Sequence, residues 1–188
     1  ETLCFQCTLR PARTMQNPAL SGRGQHPVPM NGELFILSRS GISFSAKCGR
    51  QTFEGSGDLY LSTLRLVFVN KGNGSLDGFD IPMATLLDES FNQPIFGANN
   101  LTGASPPLDG SGLTDTIKWK LAFNNGGVGT FLPLFFRLLN EMRQRMSQPQ
   151  GVVANAPTHS DADVQQILQA AYVDPNDPSK LYVSQPMK

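Results

Sequence analysis

Between Gly57 and Asn70 the chain reads Gly-Asp-Leu-Tyr-Leu-Ser-Thr-Leu-Arg-Leu-Val-Phe-Val-Asn, and no other stretch constrains the fold as tightly. Leu59 and Leu61 alternate with Asp58, Tyr60 and Ser62; Leu64, Leu66 and Phe68 alternate with Arg65, Val67 and Val69. Period-two alternation rich in β-branched and aromatic side chains predicts half-buried strands. Ser62-Thr63 is short and polar, as a tight hairpin turn requires. Two adjacent antiparallel strands in the middle of a sheet follow.

The flanking sequence extends that sheet. A strand region opens at Glu33, with the apolar run Leu34–Leu37, a break at Ser40-Gly41, and then Ile42, Phe44 and Ala46 alternating with polar residues. Cys48–Gln51 reads as a loop with Lys47 and Arg50 at its edges. Phe79, Ile81 and Met83 carry a further strand, which Pro82 places near an edge or a bulge. Asp88–Asn100 reads as strand, bend and strand, Leu101–Leu113 as loop, and Ile117, Trp119, Leu121 and Phe123 as the final strand. One helix follows: Thr130 is its expected N-cap, Pro133 falls in its first turn, and Phe131, Leu134, Phe135, Leu138 and Met142 recur at helical spacing. Trp119 should be buried beside it. The expected fold is α+β, mainly β: about seven antiparallel strands in a small barrel or sandwich capped by one C-terminal helix. Residues 1–31 read as an irregular lead, 32–146 as the domain and 147–188 as a flexible tail. Within the tail, 161–171 has amphipathic helical spacing at Val164, Ile167, Leu168 and Ala171.

Composition excludes several function classes. Formal net charge is zero, which argues against direct binding of nucleic acid through bulk electrostatics. No apolar run reaches the roughly eighteen residues of a membrane-spanning helix. Cys4-x-x-Cys7 stands alone, and the histidines, His26 and His159, lie at spacings unlike those of a zinc site, so neither metal nor cofactor is expected. An odd cysteine count favours a reducing compartment. The chain has no Gly-x-Ser-x-Gly elbow, and both histidines fall in loops, so no catalytic residue is assigned. Residues 1–14 have no periodicity; Met15 would make a natural start, so the first fourteen read as a translated leader or an added remnant, with a targeting peptide, suggested by the Arg and Thr residues, as the sharper alternative.

Several segments resemble a known family. Gly57–Val69 resembles the strand pair of GRAM domains. Phe91-Asn92-Gln93-Pro94-Ile95-Phe96-Gly97-Ala98-Asn99-Asn100 is similar to a segment peculiar to the WW-domain-binding protein 2 family, plant and protist members included. Gly126–Phe131 and Ala171–Pro178 fit the plant-type members. The resemblance implies a pleckstrin-homology-like GRAM fold in a non-enzymatic protein of cytoplasm and nucleus. Animal members bind WW domains through Pro-Pro-x-Tyr and act as transcriptional coactivators. This sequence departs there: Pro106-Pro107 is followed by Leu108-Asp109, and none of Tyr60, Tyr172 and Tyr182 stands two residues after paired prolines. A WW groove takes the prolines as a ridge and the tyrosine as an anchor, so WW binding of that kind is not expected.

Two kinds of candidate site remain. Pleckstrin-homology-like folds can clamp a phosphoinositide headgroup beside the first strand-strand loop; Lys47 and Arg50 occupy the comparable place, with Lys71 and Arg39 as possible helpers. Lys118 and Lys120 flank Trp119 on the expected solvent face. For a protein partner, the candidates are Phe91, Asn92, Gln93, Pro94 and Phe96 in the bend, and Tyr172, Asp174, Pro175, Asn176 and Pro178 in the tail. The bend is richer in amides than a core turn needs, although such amides also satisfy local backbone.

Overall fold

The computed structural model describes residues 15–22, 26–147, 172–174 and 177–182. A small hairpin, β1 (Leu20–Ser21) and β2 (His26–Pro27), precedes β3 (Phe35–Cys48), β4 (Gln51–Ser62), β5 (Arg65–Asn70) and β6 (Gly78–Pro82). A 3-10 turn at Met83–Thr85 leads to β7 (Leu87–Asn92), β8 (Asn100–Ser105), β9 (Ile117–Phe123) and the helix α1 (Val128–Ser147). The main sheet has the order β6-β5-β4-β3-β9-β8-β7, every neighbouring pair antiparallel. The concave face holds Ile42, Phe44, Leu59, Leu66, Phe68, Phe79, Leu101, Trp119 and Leu121, and α1 closes it with Phe131, Leu134, Phe135, Leu138 and Leu139. Each such side chain contributes about 1.5–3 kcal/mol by leaving water, which fixes the helix on the sheet.

The two runs at Leu34–Leu37 and Ile42–Ala46 are one strand. β3 continues through the apparent break by a bulge between Arg39 and Ile42, where Gly41 takes φ +69°. A Cβ there would lie 2.3 Å from the Asn125 side chain, so conformation and space both demand glycine.

The stretch read as loop from Leu101 begins with a strand instead. In β8 only Leu101 is a large apolar residue on the inner face; Gly103 and Ser105 occupy the next two inward positions. The indole of Trp119 lies over Gly103, where a Cβ would be 2.3 Å from the ring, and its Nε1 donates to Ser105 Oγ at 3.2 Å. The neighbouring strand supplies the apolar surface that β8 lacks. Trp119 is buried, as expected.

The lead-in is more ordered than its composition predicts. Met15 is fully buried, Gln16 bridges to Phe79, the Asp80 amide donates to Met15 O at 2.7 Å, and the Asn17 amide donates to Gly78 O at 2.9 Å. Leu20 and Phe35 pack on Tyr60, Val67 and Val69, giving β5 a second buried face. The helix begins before Thr130, which lies inside its first turn with Oγ1 donating to Gly127 O at 3.0 Å. Pro133 therefore falls just beyond the first turn and leaves the exposed Gly129 carbonyl without its helical donor. In the tail, Tyr172–Asp174 (β10) and Asp177–Tyr182 (β11) pair antiparallel, within the segment expected to be a flexible tail. The expected helix at 161–171 lies outside the described residues.

Candidate functional site

The β7–β8 connection is the most exposed apolar feature of the described residues. β7 starts with a bulge between Leu87 and Ser90, at which Asp88 has φ +52°. Glu89 is held by α1: Arg143 Nη1 and Nη2 donate to its two carboxylate oxygens at 2.6 and 2.7 Å. Those hydrogen bonds hold the Glu89 carboxyl below its ordinary range. Phe91 is half-buried against the core. Asn92 Nδ2 reaches Asn100 Oδ1 and Thr102 Oγ1, each at 3.4 Å, Asn100 Nδ2 donates to Ala98 O at 3.3 Å, and the Phe123 amide donates to Asn99 O at 2.9 Å. Three of the expected partner-binding residues thus divide by role: Phe91 and Asn92 anchor the bend, while Pro94 is presented. Gln93 and Phe96 are exposed with it. Ile95, which sequence reasoning passed over, is 93% exposed and Phe96 91%. Its signal was its setting between Pro94 and Gly97, in an uncharged stretch where neither strand nor helix buries a side chain.

The three cations assigned to a headgroup clamp are not brought together. Lys47 and Arg50 are exposed at the β3–β4 turn. Lys71 sits beside Ser56, four residues further along β4 from the Lys47 partner Thr52, or about 13 Å at ordinary strand rise. There it faces Asp58, Nζ to Oδ2 3.7 Å. Arg39 is buried, donating to Gly127 O at 3.3 Å and to Thr130 Oγ1, and serves the start of α1. The neighbour of Lys47 is instead Lys118, its direct partner on β9, with Lys120 two residues on opposite Ser45. Asp115 brings a carboxylate to the same turn, since a Cβ on Gly49 would lie 2.4 Å from its Oδ2. A shallow open hollow of about 500 Å³ lies nearby at Ser43, Glu54, Ser56 and Asn70, with no cation in its lining.

A buried ionic cluster holds the lead-in over the outer face of the sheet. Arg65 donates from Nε to Glu33 Oε1 at 2.8 Å, from Nη2 to Glu33 Oε2 at 3.0 Å and to Val28 O at 2.8 Å, and from Nη1 to Asp80 Oδ2. Ser62 Oγ and the Met30 amide also donate to Glu33, at 2.6 and 2.7 Å. Burial pushes Glu33 upward, but hydrogen bonds from Arg65, Ser62 and Met30 outweigh it and leave the carboxyl below its ordinary range. Asp80 has one oxygen without a hydrogen-bond partner, and burial prevails over Arg65 to push its pKa to about 6. Tyr60 Oη and His26 Nδ1 complete the clasp at 3.1 Å. Glu33, Arg65 and Asp80 are all buried.

Of the tail candidates, Tyr172, Asp174 and Pro178 lie on the β10–β11 backbone, whereas Pro175 and Asn176 lie outside the described residues. Among the described residues no three His, Cys, Asp or Glu side chains gather as metal ligands, and no helix is long and apolar enough to cross a membrane.

No family model matches the chain. It is 31% identical over 109 residues to the UPF0664 stress-induced protein of Schizosaccharomyces pombe, a match covering 55% of this chain and 63% of that protein. To WW domain-binding protein 2 of Mus musculus it is 30% identical over 138 residues, covering 72% of this chain and 45% of the relative. The chain thus spans less than two thirds of either relative. The solved N-terminal PH domain of Vps36 superposes with a TM-score of 0.54 at 13% identity, covering 69% of this chain and 96% of that one. That likeness gives the fold: a pleckstrin-homology-like half-barrel of seven antiparallel strands with one C-terminal helix.

Proposed function

The chain belongs to the WW domain-binding protein 2 family, and from that footing we propose that it is a non-enzymatic adaptor whose folded domain presents the β7–β8 tip to another protein. The observation that carries this reading is the adjacent pair Ile95 and Phe96, 93% and 91% exposed on a bend tied down by its own amides. Seating each in a partner pocket would contribute about 1.5–3 kcal/mol. A role as transcriptional coactivator in nucleus and cytoplasm is the finer form of the proposal, supported by the family relationship alone.

The test is affinity capture with the full chain, the double variant Ile95→Asn/Phe96→Ser, and a chain ending at Ser147. Partners retained by the full chain should be lost by the double variant. Equal recovery by both would remove the tip as the adaptor surface; loss confined to the shortened chain would assign binding to the tail. Against an array of isolated WW domains, the absence of Pro-Pro-x-Tyr predicts negligible retention. Capture at micromolar affinity would refute that motif argument.

A second reading, binding to a phosphoinositide membrane, is favoured by one feature: Lys47 and Lys118 face each other across β3 and β9, like charges that an anion would reconcile. Lys47→Ala with Arg50→Ala should then abolish sedimentation with phosphoinositide liposomes. A wild-type chain that stays in the supernatant at low salt would end this reading.

A further inference from the structure

The sheet ends differently on its two sides. Beyond β6 lie Met15–Asn17, which pair with Gly78–Asp80. Beyond β7 no strand lies among the described residues. An uncovered edge strand directs alternate N–H and C=O groups outward and is a template for another strand. Its usual safeguards are confined to the first half of β7: the bulge and charge at Asp88, and Glu89 bound to Arg143. From Ser90 to Asn100 the chain carries no charged residue.

Apolar surface frames this edge at both ends. Of the six large apolar side chains that stand exposed on the described residues, Leu87, Ile95 and Phe96 belong to β7 and its loop. Met146 is a fourth, about one helical turn beyond Arg143, the residue that grips β7. Leu87–Asn92 spans about 20 Å, the reach of a six-residue extended segment.

We propose that the β7 edge accepts an extended, uncharged, apolar segment of a partner protein as an added strand, seated between Ile95–Phe96 at one end and Leu87 with Met146 at the other. The open backbone edge requires an extended polypeptide. A bilayer is a poorer occupant, because Asp88 and Glu89 put carboxylates on this edge and the cation that touches it, Arg143, is already paired with Glu89. The inference rests on the adaptor reading and specifies its mode of contact.

The probe is a phage-displayed library of random dodecapeptides selected against the full chain. Selected peptides should alternate apolar residues and lack Pro-Pro-x-Tyr. Their affinity should fall at least tenfold with Phe96→Ser, a surface change that leaves the core intact, and with Gln93→Pro, which removes an outward amide at the end of β7 without touching its ladder to β8. Bound peptide should slow exchange of the outward amides of Phe91 and Gln93. No selected peptides, peptides indifferent to both variants, or peptides that leave those amides unchanged would overturn strand addition. Amides already slow in the free chain would assign the edge to the chain's own tail, and dimerisation lost with Phe96→Ser would assign it to a second copy; either overturns the proposal. Loss with Phe96→Ser but not with Gln93→Pro would overturn strand addition while leaving the adaptor reading in place.

Discussion

The Arg65 guanidinium stands between two buried carboxylates, and removing it would leave both without their shared counter-charge. Arg65→Met should therefore cost about 3–5 kcal/mol in a urea titration. Asp80 behaves differently, because its burial outweighs its pairing with Arg65, a cation it shares with Glu33, and one of its oxygens lacks a hydrogen-bond partner. Its folded pKa of about 6 lies above the ordinary 3.8, so between those values the folded state binds the extra proton. Stability from this group accordingly rises as pH falls through 6 and is lost as pH rises. The lowered Glu33 and Glu89 act in the opposite sense, and only at more acid pH. Comparing wild type with Asp80→Asn from pH 7.5 to 5 should show wild type gaining on the order of 1 kcal/mol relative to the variant; parallel curves would mean that Asp80 stays ionised throughout. The sequence concealed this cluster because Arg65 occupies the outward phase of its strand, a phase that is solvent only where nothing covers it. The bend at Phe91–Phe96 was legible from its uncharged, amide-rich composition. The exposure of Ile95 was readable only from its setting between Pro94 and Gly97, since side-chain periodicity carries no information inside a bend.

At the level of elements, strands announced by alternating large side chains were readable, and those completed by a neighbour were not. Leu59–Val69 and Ile117–Phe123 declare their inner faces unaided. β8 does not, because Gly103 is the floor beneath the Trp119 indole. Gly103→Ala should force the ring from its position, destabilise the protein by about 1–3 kcal/mol and perturb Trp119 emission. An unchanged midpoint and spectrum would show slack around the indole. The same reasoning explains β3: the sequence shows a break at Gly41 because the bulge requires a glycine, while the hydrogen-bonded ladder runs on to either side. The helix was legible from its apolar stripe, but its first turn was not, since Gly126-Gly127-Val128-Gly129 has low intrinsic helicity and is ordered by contacts of Arg39 with Gly127 and Thr130.

For the whole molecule, the question is where the cooperative unit begins. Strand and helix signals alone mark 32–146, yet the concave core contains Met15 and the outer face of β4 and β5 is covered by the lead-in. Starting at Gly32 would remove Met15 from the core, uncover the β6 edge and expose Tyr60, Val67 and Val69. It would also take the Val28 carbonyl from Arg65 and the Met30 amide from Glu33. Loss of a buried methionine side chain alone costs about 2–5 kcal/mol, against a total stability of about 5–15 kcal/mol for an ordinary domain. A chain of residues 15–147 should therefore unfold in one sharp transition, whereas residues 32–147 should melt at markedly lower temperature and bind a hydrophobic dye before unfolding. The point variant Met15→Ala in the full chain should fall between the two. If the 32–147 chain matches the longer one in midpoint and cooperativity, the lead-in is an ornament on a complete domain; if it does not, the lead-in belongs to the cooperative unit, and the Met15→Ala result says how much of its share comes from that one side chain.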